Sequence, residues 1–198
     1  MNIAKQKSAL RKIFKEKRLE LSTAEVKKKS EEICRNFIQN LAPLLPLTPQ
    51  KIFSLYLAAN NEVSCESLAQ HFEKNHIKFS YPKITAPEQP LQFIEFEKNQ
   101  EFVASNMYKH ILEPAAGKKI LPDFVILPLL AFDSDLSRLG MGGGFFDRTI
   151  SFLKSQKSEI ITIGLAFDFQ RAHKKLSIEN TDQKLDFIVT EKSIFAAS

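Results

Sequence analysis

Apolar positions near the start of the chain recur at helical spacing. Leu10, Ile13, Phe14 and Leu21 predict a helix over about Ile3 to Leu21, with these residues inward and basic residues on the other face. In "LSTAEV", Ser22 and Glu25 form the pattern of a capping box, and Leu21 and Val26 can staple the turn. A second helix follows to about Leu41, with Val26, Ile33, Phe37 and Leu41 inward, and Pro43, Pro46 and Pro49 end it. The pattern then changes. "KIFSLYL" (51–57) reads as a buried strand, "AANNEVS" as a polar loop, residues 65–74 as a helix and "IKFSYP" (77–82) as a strand. "LQFIEFE" (91–97) alternates and predicts a more exposed strand, while "DFVILPLLAF" (123–132) reads as a strand buried on both faces. A helix over about 145–154 and strands in "EIITIGLAF" and "LDFIVTE" complete the series. Strands alternating with helices predict an α/β fold, its sheet mainly parallel and covered by helices on both faces. No repeat or separating linker interrupts the pattern, so one domain over residues 1–198 is expected.

Composition narrows the class. A chain of 198 residues with 43% hydrophobic content can bury a sizeable core. Its most apolar run, "VILPLLAF", is too short to span a bilayer and is interrupted by Pro128, so no membrane association is expected. The N-terminal stretch lacks the apolar segment of a secretory signal, and a cytoplasmic location is expected. Cys34 and Cys65 have neither disulfide-framework nor metal spacing and read as buried thiols in a reducing compartment. His71, His76, His110 and His173 show no ligand spacing. The net charge of +5 is uneven: residues 1–29 hold ten Lys/Arg against three Asp/Glu, and the remainder is slightly acidic. Such a basic segment suits a nucleic-acid arm, a solvated helix face or a clamp for a small polyanion.

The most informative stretch is "RLGMGGGFFDR" (138–148), which holds four of the chain's six glycines. It lies between a buried strand and a helix, at the end of a parallel strand where such sheets bind ligands. Successive glycines let backbone N–H groups converge on an anion, and the helix N-terminus behind them adds partial positive charge. Arg138 can add a bidentate contact to phosphate, and Asp147 suits a magnesium ion held between it and the phosphates. Neither the Walker A pattern nor the dinucleotide fingerprint is met. A tight structural turn, with Arg138 and Asp147 as a surface ion pair, is the competing reading.

These residues resemble the signature of the 5-formyltetrahydrofolate cyclo-ligase family, Arg-Leu-Gly-x-Gly-x-Gly followed by two aromatics and Asp. "KSALR", "LYLAANNEV", "ILEP", "DFVILPLLAFD", "TIGLAFDFQ" and "NTDQKLDFIVTE" are similar to further family blocks, in the same order and over nearly the whole chain. The resemblance implies a three-layer α/β/α sandwich. It also implies use of ATP and Mg²⁺ to convert 5-formyltetrahydrofolate into 5,10-methenyltetrahydrofolate, ADP and phosphate. By position it places ATP against Lys7, Ser8, Ala9, Leu10 and Arg11, and against Arg138, Leu139, Gly140, Met141, Gly142, Gly143, Gly144, Phe145 and Phe146. It places the folate against Leu57, Glu62, Glu113 and Phe146, the metal at Asp147 and Asp182, and the main catalytic charges on Lys7 and Arg138. In this chemistry the formyl oxygen is phosphorylated, and N10 then attacks the activated carbon and closes the ring. The family usually carries tyrosine where this chain has Phe146, and His or Asn where it has Thr181. A monomer that binds neither nucleic acid nor membrane is expected. The alternatives are a related nucleotide-using α/β enzyme with another substrate, and a basic nucleic-acid-binding module.

Overall fold

In chain order the strands are β1 (Phe53–Ser54), β2 (Phe79–Lys83), β3 (Gln92–Glu95), β4 (Phe102–Ala104), β5 (Leu112–Pro114) and β6 (Lys119–Ile120). They continue with β7 (Phe124–Pro128), β8 (Ala131–Phe132), β9 (Arg138–Leu139), β10 (Ile161–Leu165), β11 (Phe187–Val189) and β12 (Ile194–Ala196). The helices are α1 (Ile3–Leu19), α2 (Thr23–Asn36), α3 (Glu66–Lys74) and α4 (Phe145–Gln156). This is a computed structural model that describes residues 2–157 and 159–197.

Eight strands form one sheet in the order β12-β11-β10-β7-β1-β2-β3-β6. The five central strands, β11 to β2, are parallel, and the flanking pairs are antiparallel. From β1 the chain builds outward through β2 and β3, then returns to build the other half from β7 through β10. The strand order therefore reverses between β1 and β7, the place where open α/β sheets leave a crevice beyond the strand C-termini.

Alternation along β7 explains the layers. Phe124 and Ile126 belong to a core shared with Ile33 and Phe37 of the α2 segment and Leu68 and Phe72 of α3. Val125 and Leu127 point the other way, to Ile150 and Leu153 of α4. Side chains of a strand alternate between faces, so a continuous apolar run can feed both layers. The result is α/β/α, as expected. Gly164 of β10 lies in the α4-side layer, where an added Cβ would sit 2.6 Å from Leu129 Cδ2 and 2.8 Å from Leu185 Cδ1. Both leucines are buried and have no room to yield. Gly164→Val is expected to destabilise the fold by about 1–3 kcal/mol through overpacking, read as a lower urea midpoint at unchanged slope.

Several expectations need correction. The ten-residue strand over 123–132 is two elements. Pro128 has no N–H to continue the ladder, and the chain turns so that β8 pairs antiparallel with β9. The strand over 51–57 is limited in the ladder to Phe53–Ser54. The segment over 91–97 is more buried than expected up to Phe96: Phe93 and Ile94 are both buried, with β6 paired along one side, and Glu97 is exposed. The β4–β5 hairpin and strands β6 and β12 were not expected, being short and lacking clear alternation. The second helix is α-helical to Asn36 and closes through a single π turn, Phe37–Leu41.

The largest correction concerns α1. Its buried residues are Lys7, Phe14 and Arg18, while Ile13 is 46% exposed. Leu10 packs at the edge of a small cluster with Phe14, Leu130, Leu139 and Leu176. Positions 7, 10, 11, 14 and 18 lie toward one side of the helix, so α1 meets the body of the protein through a stripe that mixes cations with Leu10 and Phe14, and Leu21 just beyond it also packs inward. Carboxylates waiting at that surface draw the cations inward, as the site geometry shows.

Candidate active site

A cleft of about 1300 Å³ opens at the reversal point between β1 and β7. Pro82 of β2, and Pro128 and Leu129 at the end of β7, line its base, with Leu57 beyond β1 at its side. The volume exceeds the roughly 300–1,000 Å³ usual for one small ligand, leaving room for two.

The glycine loop forms one wall. Residues Arg138 to Arg148 all line the cleft. Gly144 adopts φ +65° as the N-cap of α4, and Gly142 adopts φ +102°. Such angles strain any residue with a Cβ, so the loop's glycines serve its path and not flexibility. Arg11 reaches from α1 and donates from Nε to the Gly140 carbonyl at 2.9 Å. A Cβ on Gly142 would lie 3.3 Å from the Arg11 guanidinium carbon. Arg148 donates from Nη2 to the Gly143 carbonyl at 2.7 Å, with its guanidinium 5.1 Å over the Phe145 ring.

The charges of the cleft are matched to one another. Lys7 donates to Asp182 at 2.5 Å and to Glu179 at 2.8 Å. Burial alone would lower the Lys7 pKa, but these two bonds raise it above its ordinary value. Asp147 lies 2.9 Å from Arg138 Nη2 and accepts the Gln183 backbone N–H at 3.0 Å. Arg138 is far from being one half of a surface pair, since its side chain is only 4% exposed. Nε and Nη2 of Arg138 have no aligned hydrogen-bond partner among the described residues, so the Asp147 contact is an ion pair with poor N–H alignment. Burial lowers the Arg138 pKa, and the charges of Asp147 and Asp182 oppose that. The guanidinium thus waits, charged and under-bonded, 5.9 Å from the Phe146 ring.

The opposite wall is more apolar. Leu57, Glu62 and Glu113 line it, together with Tyr108 and His110 from the β4–β5 connection. Glu113 is buried and accepts the Ile84 backbone N–H at 3.1 Å. Tyr108 meets Phe145 edge-on at 6.0 Å, joining the hairpin to the glycine loop.

Of the residues expected at the site, Ser8, Ala9 and Leu10 do not line the cleft. Ser8 and Ala9 are exposed because helical geometry turns them away from the face shared by Lys7 and Arg11, while Leu10, three residues from Lys7, packs beside Phe14 against Leu130, Leu139 and Leu176. All the other expected residues converge on the one cleft. Glu179, Gln183, Arg148, Tyr108 and His110 were not singled out from the sequence as site residues. Arg148 stood in the quoted motif, and Glu179 lies three residues before Asp182. The hairpin residues carry no sequence signal.

The residues suit magnesium in a specific sense. Among the described residues no group of three or more His, Cys, Asp or Glu side chains could hold a metal ion. Asp147 and Asp182 each use one carboxylate oxygen for their contacts, leaving Asp147 Oδ2 and Asp182 Oδ1 without a partner among the described residues. Magnesium is usually held by one or two carboxylates, with phosphate and water completing its shell, and this donor set fits that habit.

Comparisons with known proteins agree with the geometry. The sequence profile of the 5-formyltetrahydrofolate cyclo-ligase family matches residues 3–191. A 5-formyltetrahydrofolate cyclo-ligase of Mycoplasma pneumoniae is 30% identical over 187 residues, covering 94% of this chain and 99% of that protein. The solved 5,10-methenyltetrahydrofolate synthetase of Aquifex aeolicus superposes with a TM-score of 0.78 at 27% identity, covering 96% of this chain and 92% of that one. A solved synthetase from Mycoplasma pneumoniae gives 0.72 at 27% identity, covering 93% and 98%. With nearly the whole chain matched, this protein belongs to the 5-formyltetrahydrofolate cyclo-ligase family, a family of ligases.

Proposed function

We propose that this chain converts 5-formyltetrahydrofolate to 5,10-methenyltetrahydrofolate with ATP as cosubstrate and Mg²⁺ at Asp147 and Asp182. The observation that carries the reading is the joining, in one cleft, of a cation-rich glycine loop to an apolar wall bearing Leu57 and Glu62. Lys7, Arg11 and Arg138 hold and neutralise phosphate oxygens, and the turn ahead of α4 offers backbone N–H groups. Bound magnesium would supply further charge neutralisation between phosphate groups. The apolar wall takes the pterin, and Glu62 accepts its N–H donors. The protein's contribution is positioning and charge stabilisation, which suffices when the phosphoryl donor and acceptor are held in line. The free thiols Cys34 and Cys65, both buried, fit a reducing compartment such as the cytoplasm. No helix among the described residues is long and apolar enough to cross a membrane.

Purified protein given ATP, Mg²⁺ and 5-formyltetrahydrofolate is expected to generate the near-ultraviolet absorbance of the methenyl product in step with ADP release. Omitting ATP or chelating Mg²⁺ is expected to stop both. A folded protein that binds ATP yet forms no product would overturn the substrate assignment and favour another acceptor in the same cleft.

A further inference from the structure

The charged side chain with the least solvent exposure among the described residues lies in no part of the cleft lining. Arg18, near the C-terminal end of α1, is 1% exposed, and its Nε and Nη2 have no hydrogen-bond partner among the described residues. Its one opposing charge is Glu62, with Nη1 3.6 Å from Oε1. At that distance the two form an ion pair without a hydrogen bond. Burying a guanidinium costs several kcal/mol, and an ion pair offsets this only with good geometry and satisfied hydrogen bonds. This pair has neither, so stability does not explain why Arg18 is there.

The surroundings point to the partner. Glu62 stands in the cleft wall and accepts the Ala59 backbone N–H through Oε2 at 3.0 Å. Asn60 and Asn61 both adopt positive φ to turn the loop. The Asn61 amide then donates to the Arg18 carbonyl at 3.2 Å and to the Leu21 carbonyl at 2.9 Å. One residue of α1 therefore engages this loop twice, through its backbone and through its guanidinium. We propose that Arg18 is a positioning residue that holds the Glu62 carboxylate, ionised and fixed, against the substrate side of the cleft. This rests on the reading of Glu62 as a contact for the N–H groups of a pterin.

The electrostatics agree. Burial raises the Glu62 pKa, and the Arg18 charge opposes that rise, helped by the Ala59 N–H and by His110 from the β4–β5 connection. Tyr56 and Cys65 are the other titratable groups coupled to Glu62, and both are pushed far above their ordinary values by burial, so they stay neutral. Among the described residues, Arg18 is thus the one permanent cation facing the carboxylate. The same helix presents Arg11 to the glycine loop and Lys7 to Glu179 and Asp182 in the cleft, and a rise of 1.5 Å per residue places them roughly 10–16 Å from Arg18 along its axis. One rigid element carries cations to both halves of the cleft.

The test is Arg18→Met, which keeps most of the buried stem and removes the charge. The Glu62 carboxyl is followed by ¹³C NMR in glutamate-labelled protein, with Glu62→Gln identifying its signal. An opposite charge at this range is worth about 1–3 pKa units, so the Glu62 midpoint is expected to rise by one unit or more. In the folate assay the acid limb of the kcat/KM profile for the folate is expected to move to higher pH together with the Glu62 midpoint, with KM for ATP unchanged. Adding Arg18→Met to Glu62→Gln is expected to change nothing further. An unmoved Glu62 midpoint, or a loss of activity equal at every pH, would overturn the proposal. If Arg18→Met fails to fold, Arg18→Lys carries the same titration, because its shorter ammonium places the charge farther from Glu62. Absence of turnover by the unaltered protein would count against the folate reading alone, since the NMR midpoint needs no turnover.

Discussion

Arg138→Met is expected to lower ATP-dependent turnover by about 10²–10³-fold, the usual effect of removing one preorganised group from developing transition-state charge. The argument starts from burial. Arg138 is held by β9 beneath the glycine loop, with Nε and Nη2 lacking aligned partners. A guanidinium kept under-bonded in a water-poor site acts strongly on phosphate oxygens that reach it. The fold should survive the change. Asp147, left behind, is 22% exposed and keeps its bond from the Gln183 N–H, so water can take over its second contact. Steady-state kinetics beside a thermal melt check both halves, and unaltered activity would remove Arg138 from the phosphate role.

Asp147→Ala has the opposite balance. It removes the ion-pair partner of a guanidinium that is almost fully buried, and such a loss costs about 3–5 kcal/mol, here near the lower end because Asp147 is partly exposed. Urea denaturation is expected to show that loss, with activity also gone and not restored by added Mg²⁺. The double variant Arg138→Met with Asp147→Ala is expected to recover most of the stability and none of the activity. If Asp147→Ala is as stable as the parent, the pair contributes nothing to the fold and Asp147 is free to serve the metal alone. The comparison separates the observed duty of this carboxylate, balancing Arg138, from the proposed one, offering its second oxygen to magnesium.

Much of the architecture follows from local pattern. The alternation of strands and helices, the capping box at Ser22, and the apolar run through β7 were enough to place three layers around a parallel sheet. Short elements were beyond that reach. The β4–β5 hairpin pairs only three residues on each strand, too few to set a periodicity, yet its connection delivers Tyr108 and His110 to the cleft. In the site, residues within one motif were identified together because they share a loop. Glu179 was not, because its partner Lys7 lies 172 positions away and nothing near it marks the pairing.

The case of α1 draws the line most clearly. Its sequence established a helix and a surplus of positive charge, since both depend on neighbours a few positions apart. Which face of that helix turns inward was a different question, and an apolar stripe was the natural answer from periodicity. Tertiary structure kept part of it, with Leu10, Phe14 and Leu21 packed inward, but left Ile13 exposed and buried Lys7 and Arg18 beside them. Lys7 meets Asp182 and Glu179, Arg11 meets the Gly140 carbonyl, and Arg18 meets Glu62. A buried charge is tolerable only where an opposite charge or a polar partner awaits it. Those partners are supplied by loops far away in the chain, so helix formation was decided locally and helix orientation by the fold.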